Sequence, residues 1–418
     1  MISNIKNLFR IKELRNRVFF SLLIVIVYRI GSHIPIAGVD QTALDNLFGQ
    51  GGFFGFVDLF SGGSLRRFSI FALGIIPYIN ASIIMQLLTV VTPQLKEMME
   101  EGELGRKKVQ QYTRYLAIVL AFLQALAMSA GFRSILSPDT SFSVFMFTSV
   151  FSLVAGTSLV MWLGELITER GIGNGASIII FVGIISMIPS YILSTYSLVL
   201  GGASIVSVVF LLLIFCAVIV GIIIVQEGQR KIPVQYTKRI VGRKEHGGQN
   251  TYIPLRINQG GVIPIIFASS VLAFPATLAQ FISPLRFLSD WFNPGGALYM
   301  LFFAGLIFFF TYFYTAITFN PVELADNIKK YGGFIVGVRP GRATADYLEK
   351  IISRLTLVGA VFLSIIAITP MLAANITNVT SFIGLGGTAL LIMVGVAIDL
   401  MKQIETHFVT RQYDGMLE

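Results

Sequence analysis

The sequence predicts an all-α membrane protein whose transmembrane helices fall into two halves of five. The chain has 418 residues, of which 55% are hydrophobic and only 13% are charged, whereas a soluble protein carries about 25% charged residues. Its mean hydropathy is +0.77. Apolar stretches of about twenty residues, the length that crosses a bilayer, recur from end to end. The chain is therefore expected to span a membrane about ten times.

Ten apolar stretches are predicted to be spans, and their even number places both termini on one side of the membrane. The spans are residues 18–36, 74–92, 112–132, 145–168, 177–196, 204–225, 262–281, 298–318, 351–373 and 381–401. Five spans per half force the two halves into opposite orientations, which is the inverted-repeat arrangement of many transport proteins. The predicted division is one half at 1–200, a second half at 201–402 and a tail at 403–418.

The distribution of basic residues orients these spans. Lys and Arg concentrate in the N-terminal tail and in the loops that follow even-numbered spans, with dense clusters at 230–256 and 329–354. The opposite loops hold only Arg66, Arg67, Arg133 and Arg286. By the positive-inside rule, both termini are predicted to be cytoplasmic.

Two of the predicted cytoplasmic loops, 226–261 and 320–350, are long enough to be functional elements. In the first, alternating Val, Tyr, Ile and Thr bounded by Gly-Gly predict a β-hairpin that projects from the membrane. The alternative is a basic surface that rests on anionic lipid, which needs only scattered Lys and Arg. The apolar positions in both loops favour ordered structure.

A glycine-broken segment precedes the second span. Residues 49–91 begin with Gly-Gly pairs at 51/52 and 62/63 and continue without a loop into an apolar helix. Such backbone cannot stay unsatisfied in lipid, so it is expected to lie inside the protein or to line a wet cavity. In the helix that follows, Ile75, Ile79 and Ile83 are four residues apart and share a face. That face either forms an apolar constriction, which excludes water and ions, or packs against lipid and other helices.

Several other features suit either function or ordinary membrane packing. The run ELITERGIGNGAS at 165–177 is a glycine-rich turn, which tight geometry alone would explain. Pro264 and Pro275 each remove a backbone donor from the seventh span and are predicted to kink it. Arg29 and Gln86 are polar groups within spans, which indicate function by default. Arg29 could also extend to the membrane interface, and Gln86 could bridge helices.

Catalysis and ion coupling find little support in the residues. Cys216 is the single cysteine, so neither a disulfide nor a cysteine metal site is expected. The three histidines have no partners at metal-ligand spacing, and no catalytic residue, cofactor or metal site is predicted. The alternative to a channel is a secondary solute transporter, and an intramembrane enzyme is a third class. A transporter is expected to carry acidic groups through the membrane and an enzyme paired catalytic groups, and the sequence has neither pattern.

Six runs of the sequence together resemble the bacterial SecY family, whose members are the central subunit of the Sec protein translocation channel. The runs are LFSGGSLRRFSIFALGIIPYINASIIMQLLTVV, EEGELGRKKVQQYTRY, MWLGELITERGIGNGASIIIF, GVIPIIFASS with FPATLA, FNPVELADNIKKYGGFIVGVRPG and FIGLGGTALLIMVGVAID. They are spread over most of the chain, in the order found in that family. The resemblance implies a clamshell of two five-helix halves around an hourglass pore, in the bacterial inner (plasma) membrane.

The resemblance also implies roles for particular residues. Segment 52–65 would be a plug, with Phe56, Leu59, Phe60, Gly62 and Gly63 as its candidate residues. An apolar pore ring would fall on Ile75, Ile79, Ile180, Ile266, Leu278 and Ile392, with leucine where isoleucine is frequent in relatives. A lateral gate would open between the second and third spans and the seventh and eighth, with Gln86, Pro264 and Pro275 as candidates.

The expected function is that of a passive, ATP-independent channel subunit. It would pass unfolded secretory polypeptides across the membrane and release hydrophobic segments laterally into lipid. In the family the two long loops dock the ribosome or the SecA ATPase motor, which makes Arg243, Lys244 and Arg339 the leading contacts; ribosomal RNA is a polyanion that such a basic patch attracts. The implied partners are SecE and SecG subunits, SecA, the ribosome, signal peptides, unfolded preproteins and membrane lipids.

Overall fold

In the computed structural model, each of the ten predicted spans falls on a helix. The structure describes residues 12–44, 58, 60–137, 140–202, 204–236, 239–241, 244–246, 250–281, 296–377 and 386–414. The helices that build the fold are α1 (Lys12–Gly31), α2 (Ile76–Val91), α3 (Pro93–Glu100), α4 (Glu103–Gly131), α5 (Phe142–Arg170), α6 (Gly175–Leu200), α7 (Ile205–Glu227), α8 (Ile263–Phe281), α9 (Ala297–Thr318), α10 (Pro321–Lys330), α11 (Arg342–Thr377) and α12 (Gly387–Asp414).

Length and apolar composition single out seven described helices as able to cross a membrane on their own, namely α4, α5, α6, α7, α9, α11 and α12. The pair of α2 and α3, which meet at an angle of 100°, is long and apolar enough only when the two helices are taken together. The break falls at Thr92, whose extended backbone precedes Pro93, because proline disfavours helical geometry in the residue before it. The predicted spans at 18–36 and 262–281 correspond to α1, which begins in a charged turn, and to α8.

The backbone between Phe60 and α2 is mostly turns, and protein groups satisfy it as membrane depth requires. This backbone pairs with the chain after α1 in both directions. Phe68 O accepts from Ile36 N at 2.9 Å, and Ile70 N donates to Ile34 O at 3.1 Å. The Phe68 ring is fully buried against Phe132, with ring centroids 5.1 Å apart. The segment is therefore an ordered part of the fold.

The turn between α5 and α6 needs its glycines for two different reasons. Gly173 has a φ of +83°, a conformation that side chains with a Cβ rarely adopt. A Cβ on Gly175 would overlap the carbonyl oxygen of Gly164, so α6 begins in direct contact with α5. This close approach fixes where the first turn of α6 lies.

The two long loops form one three-stranded sheet. Strand β1 (Gln229–Tyr236) pairs antiparallel with β4 (Asn250–Arg256), which confirms the hairpin predicted in the first loop. On its other side β1 pairs with β5 (Gly333–Ile335) from the second loop, with Val234 opposite Ile335. Strands β2 (Arg239–Val241) and β3 (Lys244–His246) pair separately. Both loops therefore belong to a single projecting unit.

This unit has its own hydrophobic core. Ile232 and Val234 alternate with exposed residues along β1, as expected for a sheet with one buried face. They pack with Leu255 of β4 and Leu348 of α11 in one buried cluster. The sheet is thus anchored to the first turns of α11, and it is not a loose basic surface.

Replacing Gly156 should destabilise the protein, because a Cβ at this position of α5 would overlap the carbonyl oxygen of Ile70. We expect Gly156→Ala to lower the free energy of unfolding by about 1–3 kcal/mol, the usual cost of overpacking. Thermal unfolding of the detergent-solubilised protein measures the effect.

The matched control is Gly305→Ala in α9, where a new Cβ would meet nothing within 4 Å. Alanine favours a helix over glycine, so this variant should unfold at or slightly above the wild-type temperature. Equal unfolding temperatures for the two variants would contradict the close approach of α5 to Ile70.

Candidate functional site

The isoleucines predicted to form a ring come together from distant parts of the chain. Ile75, Ile79, Ile180, Ile266 and Ile392 belong to one buried cluster, and none is more than 7% exposed. Ile75 and Ile79 lie at the start of α2, and the others lie on α6, α8 and α12. Leu278 lies within the bounds of α8, but its side chain is outside the described residues. Isoleucines from four elements thus share one buried apolar cluster, the apolar layer.

An open cavity of about 330 Å³ ends on this layer. Its lining includes the apolar side chains of Ile75, Ile79, Ile180 and Ile266. Polar side chains also line it, at the end of the bundle where α2 and α5 finish and α6 begins, namely Gln86, Gln110, Glu165, Glu169 and Asn174. The cavity therefore changes from a wettable rim to an apolar floor.

The rim is held together across helices. Arg114 Nε on α4 lies 2.7 Å from Glu165 Oε1 on α5, and Gln110 Nε2 donates to the same oxygen at 3.3 Å. The Glu165 side chain is only 10% exposed, so both donors stabilise a carboxylate that burial would otherwise disfavour. In the sequence Glu165 is only the first residue of the glycine-rich run 165–177, because its partners lie more than fifty residues away.

The predicted plug residues are described in part. Phe56 and Leu59 lie outside the described residues, whereas Phe60, Gly62 and Gly63 lie within them. The Phe60 side chain is buried in the same cluster as the ring isoleucines. Gly62 and Gly63 have φ angles of +66° and +82°, so the chain turns here in a conformation that suits glycine.

Asp58 organises this turn, which sequence reasoning missed. Its carboxylate accepts hydrogen bonds from Leu65 N and Arg66 N, each at 3.0 Å, and from Ser61 Oγ at 3.0 Å. The residue is 2% exposed, and several donors to one buried carboxylate offset its desolvation. In the sequence, the only indication of this role was that Asp58 is a lone acidic residue between two glycine pairs.

The predicted gate helices are in contact, since α8 packs against both α2 and α4. Gln86 is half-buried and lines the cavity. The predicted kink at Pro264 is wrong, because α8 begins at Ile263 and proline fits the first turn of a helix without bending it. Pro275 lies within α8, and its side chain is outside the described residues.

Two of the three predicted docking residues are described, Arg339 after β5 and Lys244 in β3. Arg339 is exposed, follows β5, and accepts at its carbonyl oxygen a hydrogen bond of 2.9 Å from Thr344 Oγ1. Lys244 lies in β3 with its side chain outside the described residues, and Arg243 is outside them altogether.

Among the side chains that the structure describes, no group of His, Cys, Asp and Glu could hold a metal ion.

Solved structures with the same fold are protein-conducting channels by their own descriptions. One, described as the structure of a protein conducting channel, aligns with a TM-score of 0.68 at 19% identity, over 95% of this chain and 93% of its own. A second concerns the plug domain of the SecY protein, with a TM-score of 0.66 at 20% identity and the same coverage. Sec61 from a canine ribosome-channel complex aligns with a TM-score of 0.64 at 17% identity, again over 95% of this chain and 93% of its own.

Curated sequence relatives share a much higher identity with this chain than these solved structures do. The protein translocase subunit SecY of Thermotoga maritima is 45% identical over 99% of this chain and 97% of its own length. That of Halalkalibacterium halodurans is 48% identical over the whole of both chains. The family model described as SecY matches residues 69–401, which include every ring position and both long loops. On these matches, the chain belongs to the SecY family.

Proposed function

We propose that this chain is the pore-forming subunit of a protein translocation channel. It passes unfolded secretory polypeptides across the membrane and releases hydrophobic segments sideways into lipid. The observation that carries the proposal is the apolar layer of isoleucines from α2, α6, α8 and α12 at the end of a polar-rimmed cavity. Family membership decides for a channel over the solute transporter and the intramembrane enzyme.

The chemistry of the ring suits a cargo of unrestricted sequence. Isoleucine side chains offer neither charge nor hydrogen bonds, so they can close around a passing chain without binding any particular residue. A narrow apolar constriction also excludes water and ions when it is closed. We assign the seal to Ile75, Ile79, Ile180, Ile266 and Ile392, with Leu278 as a sixth member. Support comes from the burial of the five isoleucines that are described.

Sorting of the cargo must occur elsewhere, and we place it at the contact of α8 with α2 and α4. An apolar segment gains roughly 25 cal/mol for each Å² that it moves from water into lipid, whereas a polar segment gains nothing there. This difference favours opening of the gate when an apolar segment fills the cavity. Gln86 on the cavity wall and the two prolines of α8 are our candidate gate residues.

Segment 52–65 is proposed as the plug. Phe60, in its described part, is buried in the same apolar cluster as the isoleucines. The segment also continues through turns into α2, at whose start two of the proposed ring residues lie. Movement of the plug and opening of the ring are therefore coupled through the backbone.

The finer assignments complete the proposal. The chain would lie in a bacterial inner membrane as two inverted halves, 1–200 and 201–402, with both termini and the projecting sheet in the cytoplasm. Support comes from the positive-inside pattern and from the Lys402–Glu227 ion pair of 2.7 Å, which joins the middle of α12 to the end of α7, close to the start of β1. The sheet would dock SecA or the ribosome through Arg243, Lys244 and Arg339, and SecE and SecG would complete the channel.

Polar substitutions in the ring test the seal. We expect Ile79→Ser with Ile180→Ser to raise the ion conductance of resting channels by roughly tenfold or more, because hydroxyl groups allow water to wet the constriction. Single-channel recording in planar bilayers gives the measurement.

The control variant is Ile26→Ser on α1, which replaces an isoleucine that is 59% exposed on the outside of the bundle. Its resting conductance should equal that of the wild type. If the variant with Ile79→Ser and Ile180→Ser conducts no more than this control, the assignment of the seal is wrong.

Charge reversal tests the docking surface. Arg339→Glu should reduce translocation driven by a cytoplasmic partner about tenfold or more, since it replaces attraction by repulsion at an exposed site. Insertion of the protein into the membrane should be unchanged. Transport of a preprotein into proteoliposomes, normalised to the amount of channel, is the measurement.

Lys330→Glu supplies the comparison, because Lys330 is an exposed cation at the end of α10 in the same projecting loop. If docking depends on Arg339 itself, this variant should retain most of the activity. Equal losses in both variants would show that only the net charge of the loop matters.

A further inference from the structure

Two side chains at the end of α1 bind consecutive carbonyl oxygens of the plug base, which we define as residues 60–67. Tyr28 Oη donates to Ser61 O at 3.2 Å, and Arg29 Nη1 donates to Gly62 O at 2.9 Å. Tyr28 is 1% exposed, and its ring stacks on Phe71 with centroids 5.8 Å apart. The rigid end of α1 thus presents two donors in register with two acceptors.

Arg29 also connects the plug base to α6. Its Nη1 donates to Ser186 Oγ at 2.9 Å. The Ser186 hydroxyl lies 2.6 Å from Gly183 O and 3.4 Å from Gly62 O. One guanidinium therefore joins three parts of the chain that are far apart in sequence, and hydrogen bonds from a charged donor are about twice as strong as neutral ones.

The fit between the plug base and α6 depends on glycine on both sides. A Cβ on Gly62 would lie 2.7 Å from Gly183 Cα, and a Cβ on Gly183 would lie 3.3 Å from Gly62 Cα. The two backbones are therefore in direct contact, which brings Gly62 O within reach of Arg29 and Ser186. The site is built for a backbone segment and leaves no space for a side chain.

The bonds that Tyr28, Arg29 and Ser186 make with the plug base end on backbone oxygens, and a further contact joins Arg67 Nη1 to His33 Nε2 at 2.9 Å. Arg29 is partly exposed, so its guanidinium can be solvated when the plug base leaves. The plug base itself is held together by Asp58 and does not depend on Arg29 for its shape. Its departure would break few interactions inside the moving segment.

We propose that Arg29 and Ser186 form a latch that holds the plug base against α6 in the resting channel and releases it on opening. Arg29 is the positioning residue, and it acts through Gly62 O and Ser186 Oγ. This inference rests on the proposed function, because it assigns the side chains that keep the stopper of that channel in place.

Chemical labelling tests the latch without requiring transport. In the full channel complex in proteoliposomes, Cys216 is replaced by serine and the buried Ser64 by cysteine. A membrane-impermeant maleimide then reports how often the plug base leaves its site. We expect Arg29→Met to raise the labelling rate about tenfold, since it keeps the length of the side chain but removes the charged donor.

Three further variants make the test specific to the latch. Arg29→Lys keeps a cationic donor and should label more slowly than Arg29→Met. Ser186→Ala should raise the rate by a smaller factor, and adding it to Arg29→Met should have little further effect, because residues that act through one contact are not additive. Arg133→Met is the matched control, since Arg133 is an exposed arginine whose guanidinium lies 4.8 Å from the ring centroid of Phe142.

The outcomes separate the latch from the proposed function. Faster labelling of Arg29→Met with unchanged labelling of Arg133→Met supports the latch, and a raised resting conductance of the same variant in planar bilayers supports it further. Wild-type labelling in Arg29→Met, or fully additive effects of Arg29→Met and Ser186→Ala, would overturn it. Failure of the wild-type complex to transport a preprotein would refute the proposed function, while the labelling rates would still decide whether the latch exists.

Discussion

Non-helical backbone at membrane depth must find its hydrogen bonds inside the protein, and the rest of this structure depends on how the chain meets that requirement before α2. The pairing of Ile36 with Phe68 and of Ile70 with Ile34, together with the carboxylate of Asp58, satisfies the turns that precede Ile75. Because these bonds fix the entry of the chain into α2, they also fix where the first ring residues lie. The proposed apolar seal is therefore positioned by the hydrogen-bonded turns next to it.

The proposed ring and the rim of the cavity differ in chemistry, since the ring is apolar and the rim is polar. At the rim, Arg114 and Gln110 hold the carboxylate of Glu165, which gives a fixed, wettable mouth between α4 and α5. At the floor, isoleucines from four elements give a dry layer without directional bonds. In the proposed channel, a cargo chain would first pass polar groups that keep it hydrated and then apolar groups that do not bind it.

Hydropathy predicted the helices because it depends on local composition, whereas spacing alone left open whether the isoleucines face a constriction, lipid or other helices. The shared face of Ile75 and Ile79 follows from their four-residue spacing within one helix. Ile180 and Ile392 were assigned to the ring only through the family resemblance. Contacts between distant segments stayed hidden. Arg29 stood out as a charge within a span, but nothing near it in sequence pointed to Gly62 or Ser186. The kink expected at Pro264 was wrong because Pro264 lies in the first turn of α8, where its missing amide proton breaks no helical hydrogen bond.

The antiparallel pairing of β1 with β5 restricts how this protein can change length during evolution. Side chains alternate along β1, so an insertion of one residue there would move Lys231 or Pro233 to the face now held by Ile232 and Val234. The same shift would break the match of Val234 with Ile335 and detach one long loop from the other. Within this unit, length changes are therefore compatible with the fold between β1 and β4, while the strands that join the two loops must keep their lengths together.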